Sequence, residues 1–317
     1  MDKTISIALA TYNGSRFLAK QLESIYSQIK LPDEVVVSDD GSDDGTLDIL
    51  ENYHQKYGLK YSINPGPHGV NQNFYRAISL CTKDYIGICD QDDIWLPNKI
   101  LTTYAKLLEI DDGRPCAVSS LCDHIDANDT IIKSSPRGRD DDKYTATLLD
   151  QGRSQGCSLM FNRELWNYVS SKILVDSRID SIYDAVISYT AAIVGTKYNL
   201  GDRLMLYRHH ESNVIAKKGL QKGLKQRILE HEYYYLPYNR FRKFEVFFDI
   251  CNKDITNPQI ASFLKRTIKI GKENHLKGYY DIFLMPELSL LKKIQVVLVT
   301  CSMDIFKLFV KKKADNQ

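Results

Sequence analysis

The chain has 317 residues, 42 Lys+Arg against 40 Asp+Glu and a net charge of +2, which is the make-up of an ordinary soluble globular protein with room for a sizeable core. The total hides a division, because residues 216–317 hold 20 Lys+Arg against 10 Asp+Glu and leave 22 against 30 in residues 1–215. An acidic front with a basic back argues against a nucleic-acid partner, whose basic stripe should coincide with the recognition element. It fits a metal-using catalytic domain, residues 1–215, followed by a basic helical region, 216–317, that meets an anionic surface.

The first hundred residues alternate strand and helix. Residues 5–10 form a continuous apolar strand, and Asn13-Gly14-Ser15 turns the chain into a helix with Leu18, Leu22, Ile25 and Ile29 at helical spacing. Pro32 ends it, and 34–38, with three consecutive valines, is a second buried strand. The run from Asp39 to Thr46 is a loop by composition, and Thr46 is the expected cap of the next helix, with Leu47, Leu50, Tyr53 and Tyr57 on one face. A glycine-proline loop at 64–69 precedes a third helix carrying Phe74, Ala77, Ile78 and Cys81 inward. The apolar run 85–89 is the next strand, and Pro97 opens a fourth helix. This βαβα order predicts an α/β fold with a mostly parallel central sheet and helices on both faces.

Residues 116–215 are less regular. The pattern predicts a strand at 116–121, a hairpin around Asn128-Asp129, a polar loop at 134–143, a helix over 182–194 and two short strands at 196–200 and 203–207. Long basic helices follow the boundary near Ala216. Seven cysteines without a C-x-x-C pair, mostly within apolar runs, predict buried thiols, no disulfide framework and a reducing compartment. No signal peptide and no run of about twenty apolar residues is read, so a cytoplasmic location is expected.

Three loops at strand ends collect the informative side chains. In Ala10-Thr11-Tyr12-Asn13-Gly14, a tyrosine at a sheet rim can stack on a base and a threonine hydroxyl can bond its edge, although strand-turn-helix junctions with Asn-Gly are common. In Asp39-Asp40-Gly41-Ser42, one carboxylate can accept the imide N–H of uracil or thymine and the other can cap the following helix. In Asp90-Gln91-Asp92-Asp93, charge packed at a strand end calls for a cation, and hard oxygen ligands favour magnesium, calcium or manganese; a solvated acidic turn is the alternative. An EF-hand is excluded because Trp95 occupies the position that needs glycine.

In this order and spacing, Ser6-Ile7-Ala8-Leu9-Ala10-Thr11-Tyr12-Asn13-Gly14, Val37-Ser38-Asp39-Asp40-Gly41-Ser42-Asp43-Asp44-Gly45-Thr46 and Asp90-Gln91-Asp92-Asp93-Ile94-Trp95-Leu96-Pro97 resemble the family 2 glycosyltransferases and their GT-A fold. The glutamine inside the Asp-x-Asp motif, followed by Ile-Trp-Leu-Pro, is most similar to the rhamnosyltransferase-like members that build bacterial surface polysaccharides. The resemblance covers residues 4–215. It implies an inverting, metal-dependent hexosyltransferase with a dTDP- or UDP-sugar donor, dTDP-rhamnose first, and a saccharide or lipid-linked acceptor.

Carried over by position, the resemblance implies that Thr11, Tyr12, Asn13, Asp39 and Asp40 hold the nucleotide and that Asp90 meets its ribose side. Asp92 would ligate Mg2+ or Mn2+, with His210 of Tyr207-Arg208-His209-His210 approaching the same metal and Arg208 pairing with phosphate. Asn71 and Asn73 follow the glycine-rich loop where the family reaches the donor, and are equally plausible as helix-surface or capping residues. The acceptor loop is matched by residues 155–162 and the catalytic base by Asp184. By spacing alone, Ser181 and Asp184 also fit a capping box, and Tyr183 departs from the histidine or glutamate common in relatives. The alternatives are an aspartyl-phosphate phosphatase, which also uses Asp-x-Asp at a strand end, and a non-catalytic binding subunit.

Beyond Leu290, Leu291, Ile294, Val297, Leu298, Cys301, Ile305, Leu308 and Phe309 fall on one helical face, and Lys311-Lys312-Lys313 ends the run. Apolar on one side with a lysine rim suits a helix lying in the plane of the inner membrane face, and equally a helix packed on the catalytic domain.

Overall fold

The computed structural model describes residues 2–134, 140, 144–149, 155–211 and 237–272. The chain divides into two compact units, residues 1–216 and 217–317. In the first unit, β1 (Ile5–Thr11), β2 (Glu34–Asp39), β3 (Lys60–Ile63) and β4 (Tyr85–Cys89) alternate with α1 (Ser15–Tyr26), α2 (Thr46–Tyr57) and α3 (Val70–Leu80). There follow β5 (Ile94–Trp95), α4 (Lys99–Ile110), β6 (Cys116–Ile125), β7 (Ile131–Ser134) and α5 (Tyr144–Leu149). A 3-10 turn (Gly156–Ser158), β8 (Met160–Asn162), α6 (Arg163–Tyr168), a π-helical turn (Val169–Ile173), α7 (Tyr183–Val194) and β9 (Thr196–Arg208) complete it.

Among the described residues one sheet holds every strand, in the order β3-β2-β1-β4-β8-β6-β9-β5, with β7 paired to β6. Neighbours from β3 to β4 are parallel, as are β6 and β9, whereas β8, β5 and β7 run antiparallel to their partners. The expected mostly parallel sheet is therefore present, and a short reversed strand, β8, is inserted near its middle. β2 and β4 are buried along their whole length and β1 almost so. A strand buried at successive positions is covered on both faces. The core gathers Ile5, Ile7 and Leu9 of β1, Leu18, Leu22 and Ile25 of α1, and Ile100 and Leu107 of α4. Each set follows the period of its own element.

Three local readings change. The two short strands near 200 are one continuous β9, whose register against β6 shifts between Ser119 and Leu121 and again before Cys122. The irregular stretch absorbs a fully buried lysine, Lys197, whose ammonium donates to Ser119 Oγ, to Asn199 Oδ1 at 3.0 Å and to the Tyr198 carbonyl at 3.1 Å. With only neutral acceptors around it, burial pushes Lys197 down to about 7. Thr46 does not cap α2. It is the first helical residue, Gly45 is the cap, and the Thr46 hydroxyl instead accepts the Gly14 N–H at 2.9 Å. The hairpin forms as expected, with Asp129 in the left-handed region at φ 68°. The six described cysteines are buried thiols outside any disulfide, and Cys301 lies outside the described residues.

The second unit contributes α8 (Pro237–Cys251) and α9 (Pro258–Lys272), packed through Phe244, Phe247, Phe263 and Leu264. Tyr233-Tyr234-Tyr235 and the apolar face beyond Leu290 lie outside the described residues. Among the described residues, no helix is long and apolar enough to cross a membrane.

Gly195 joins α7 to β9 where backbones meet: the Thr196 N–H bonds the Pro115 carbonyl at 3.0 Å, and a Cβ on Gly195 would stand 1.8 Å from that oxygen. Gly195→Ala should therefore destabilise the protein by about 1–3 kcal/mol, the range for overpacking a tight site. Urea unfolding checks it, and an unchanged midpoint would contradict the packing described.

Candidate active site

β1, β2 and β4 are parallel and in register, with Thr11 opposite Asp39 and Leu9 opposite Cys89. The loops leaving their C-terminal ends therefore emerge side by side, at the rim where open α/β sheets bind ligands.

Asp39 ties the first two loops together. It is fully buried, and its carboxylate accepts from the Gly41 N–H (3.1 Å), the Ser42 N–H (2.8 Å), the Ser42 hydroxyl (2.6 Å) and the Thr11 hydroxyl (2.7 Å). Four bonds fill the acceptor sites of a carboxylate, so neither Asp39 nor the buried Thr11 hydroxyl is presented to a ligand. Asn73, also buried, donates to the Thr11 carbonyl at 2.9 Å and supports the loop from behind. These three residues of the expected donor set act through others. Asn13 stands on the surface in the left-handed region (φ 47°), with its N–H given to Ser42 Oγ and its amide oxygen accepting from Asp43.

Tyr12 faces outward, and Asp40 sits at the rim with 10% of its side chain exposed. Asp40 accepts from Asn64 Nδ2 at 2.8 Å, His68 Nδ1 at 3.0 Å and the Gly69 N–H at 2.7 Å. Burial tends to raise its pKa, but these donors win and hold the carboxyl below its usual range. The Tyr12 ring is 58% exposed, while its backbone is clipped at both ends by one side chain: Gln91 Oε1 accepts the Tyr12 N–H at 2.9 Å and Gln91 Nε2 donates to the Tyr12 carbonyl at 3.1 Å. The second residue of the acidic run thus fixes the tyrosine of the first loop.

Within that run each carboxylate has a different partner. Asp93 is buried, with one oxygen accepting the Arg208 N–H at 2.9 Å and the other without a hydrogen bond. Asp92 Oδ2 lies 2.7 Å from His210 Nε2, whose ring packs 4.8 Å from Phe17. Asp90 and Asp93 approach Cys157, with one ligand atom from each within 4.8 Å of the others. Burial, then mutual repulsion with Asp92 added, raises both Asp90 and Asp93 above the carboxylate range. Lys99 lies beneath, fully buried against Trp95 and the Ser158 carbonyl, and burial pushes it down to about 8. The pocket is therefore rich in carboxylate and short of fixed positive charge.

Asp184 enters from the other half of the sheet. It is the second residue of α7 and partly buried, and burial raises its carboxyl to about 6 against the pull of the Ala185 N–H, donated to Asp184 Oδ1 at 2.6 Å. Its charge also contributes to the raised pKa of Asp90, which puts the two in one electrostatic environment. The Ser181–Asp184 capping box does not form: Ile182 is the N-cap and supplies no side-chain bond. Gly156 of the expected acceptor loop leaves space for Tyr183 and Asp184, since a Cβ there would lie 2.3 Å from the Tyr183 hydroxyl and 3.0 Å from Asp184 Cβ.

Arg208 does not stand where phosphate can reach it, contrary to expectation. It is 1% exposed, donates to the carbonyls of Asp92 (2.6 Å) and Asp126 (3.0 Å), pairs with Asp129 at 2.6 Å and stacks on Phe17 at 4.6 Å. It pins the backbone of the acidic run to the β6–β7 hairpin. Phe17, Asn64, Lys99 and the role of Cys157 were not found by motif reading. Phe17 and Lys99 lie on helices whose apolar periodicity gives no sign of the site, and Cys157 read as one more buried thiol.

The family model for glycosyl transferase family 2 matches residues 6–168, about half of the chain, and spans all three of these loops. The chain belongs to glycosyl transferase family 2. It is 30% identical over 232 residues to the dTDP-rhamnosyl transferase RfbG of Shigella flexneri, covering 66% of this chain and 73% of that protein. Among solved structures it resembles S. aureus TarS 1–349 in complex with UDP-GlcNAc (TM-score 0.57, 18% identity, 93% of this chain and 81% of that one). It also resembles a mannosyltransferase from Pyrobaculum calidifontis in complex with GDP-Man and Mn2+ (TM-score 0.56, 16% identity, 99% and 84%). The fold is GT-A, and the protein is a glycosyltransferase.

In this glycosyltransferase, Arg208→Met should cost about 3 kcal/mol or more, because Asp129 and two carbonyls lose a shared donor in a buried setting. Arg208→Lys should restore only part of that, since one ammonium cannot span the three acceptors. Urea unfolding of both variants measures it, and equal stability of Arg208→Lys and the natural protein would contradict the pinning role.

Proposed function

We propose that the enzyme transfers a sugar, rhamnose from dTDP-rhamnose first, with inversion to a saccharide or lipid-linked saccharide used in surface-polysaccharide synthesis. One observation carries the reading: the acidic run and Asp184, reached from different halves of the sheet, converge on two consecutive residues, Asp90 and Asp93 on Cys157 and Asp184 beside Gly156. Similarity to a dTDP-rhamnosyl transferase supports the donor choice. A UDP-hexose is the second candidate, because a carboxylate that accepts a pyrimidine imide N–H serves uracil and thymine alike.

In this reading the exposed Tyr12 ring stacks on the pyrimidine, Asp40 accepts its imide N–H, Asn13 borders the base and Asp90 faces the ribose. Thr11, Asp39 and Asn73 keep that surface in shape, and Arg208 holds the acidic run. Asp92 and His210 would hold a divalent cation: a carboxylate oxygen and an imidazole nitrogen, 2.7 Å apart, are a pair of donors for Mg2+ or Mn2+. When bound, the cation supplies positive charge against the diphosphate as it departs.

Asp184 takes the proton of the acceptor hydroxyl. The acceptor oxygen attacks the anomeric carbon from the face opposite the diphosphate, the bond to the diphosphate breaks, and its electron pair leaves with the nucleotide. A carboxylate raised to about 6 is a stronger base than a free one and still ionised near neutral pH. Residues 1–215 serve as the catalytic domain, and the basic residues 216–317 as the part that meets an anionic membrane face where the acceptor is lipid-linked.

Release of dTDP from dTDP-rhamnose with Mn2+ present is the direct assay. Asp184→Asn and Asp92→Asn should each lower turnover by a factor of about 10² or more while remaining folded, and near-natural rates in either would remove its assigned role. Turnover should also rise with pH through about 6, because Asp184 is protonated, and no base, below its raised pKa. A flat profile from pH 5 to 7.5 would speak against it.

A further inference from the structure

α7 begins without a cap of its own, yet its first turn carries Asp184. The missing cap comes from another helix. Asn71, the second residue of α3, accepts the Tyr183 N–H at 2.9 Å on its amide oxygen and donates its amide NH2 to the Ser181 carbonyl at 3.1 Å. One side chain thus brackets the residues just before Asp184 by the same two-point amide clip that Gln91 makes on Tyr12. One turn along α3, Phe74 stacks on Tyr183 with ring centroids 4.0 Å apart and planes at 22°. Tyr183 is in turn confined by the bare Gly156.

The same end of α3 is tied to the nucleotide side of the site. Gly69, the residue before the helix, gives its N–H to Asp40, and Asn73 donates to the Thr11 carbonyl. Within five residues the start of α3 therefore grips the Asp40 carboxylate, the first loop and the root of Asp184. A helix start needs its free N–H groups satisfied. Here that requirement is met by a residue whose helix is anchored in the other half of the site.

We infer that Asn71 is a positioning residue: it sets the first turn of α7, and with it the Asp184 carboxylate, relative to the donor loops. The inference rests on the proposed role of Asp184 as base. Both polar ends of the Asn71 amide are engaged at the start of α7, so its loss should act on the rate of transfer and not on donor affinity. A carboxyl group displaced by a fraction of an ångström loses its alignment with the attacking hydroxyl, which costs rate steeply.

The test uses the full chain, Mn2+ and dTDP-rhamnose, read as released dTDP, together with calorimetric binding of dTDP. Asn71→Ala should lower kcat about 10–100-fold and leave KM and dTDP affinity within about twofold. Asn71→Asp, whose carboxylate still accepts the Tyr183 N–H, should recover part of the rate. In an Asp184→Asn background, Asn71→Ala should cause no further loss. A natural rate for Asn71→Ala beside an inactive Asp184→Asn would overturn the inference and leave the base assignment standing. Equal fold-losses in both backgrounds would also overturn it, marking a general structural effect. Full activity of Asp184→Asn would remove the base assignment and the inference with it.

Discussion

Six carboxylates gather at the C-terminal rim of one sheet, and how each is compensated decides the form of the site. Asp39 is filled by four N–H and O–H donors, and Asp40 takes three, which leaves it one acceptor site for a ligand. Those bonds shape the first two loops. Asp93 uses one oxygen to hold the Arg208 backbone, and Asp92 faces His210. Burial pushes the carboxyls of Asp90 and Asp184 upward, with repulsion from Asp93 and Asp92 added at Asp90 and only the Ala185 N–H opposing it at Asp184. Donor-rich carboxylates thus form the frame, and donor-poor ones are left for chemistry. Such a pocket is costly when empty of positive charge and favours a ligand that brings some.

That division explains why buried basic groups lie around the rim and not in it. Arg208 reaches backbone carbonyls and the half-buried hairpin carboxylate Asp129. Lys99 sits under the acidic run with its charge weakened by burial. Neither neutralises the pocket outright, which would leave no electrostatic reason to take up a cation.

Much of this was legible in the sequence, and the reasons differ by element. The βαβα half follows from periodicity, because β1, β2 and β4 are buried on both faces and read as unbroken apolar runs. β8 was not legible: three residues are too few to show a period, and only the neighbours β4 and β6 make Met160–Asn162 a strand. The motif residues were placed in the right loops, yet motif spacing cannot say which side of a loop a side chain takes. Thr11, Asp39 and Asn73 turned inward, while Tyr12 turned out and Asp40 sits at the rim. Arg208 was misread because its partners, Asp126 and Asp129, lie about eighty residues earlier in the chain. Capping was misread twice: at Thr46 the hydroxyl serves the Gly14 N–H while Asp44 takes the N–H that starts the helix, and at Ser181 the group that completes the helix start, Asn71, comes from another helix.

In the proposed reading the acidic rim binds the nucleotide diphosphate tightly only together with a cation held at Asp92. The decisive measurement is calorimetric titration of dTDP into the protein, with and without Mn2+. Binding should be at least tenfold tighter with Mn2+, by the order of one well-placed charge interaction, and that gain should vanish in Asp92→Asn. Equal affinity with and without the metal, or an undiminished gain in Asp92→Asn, would contradict it.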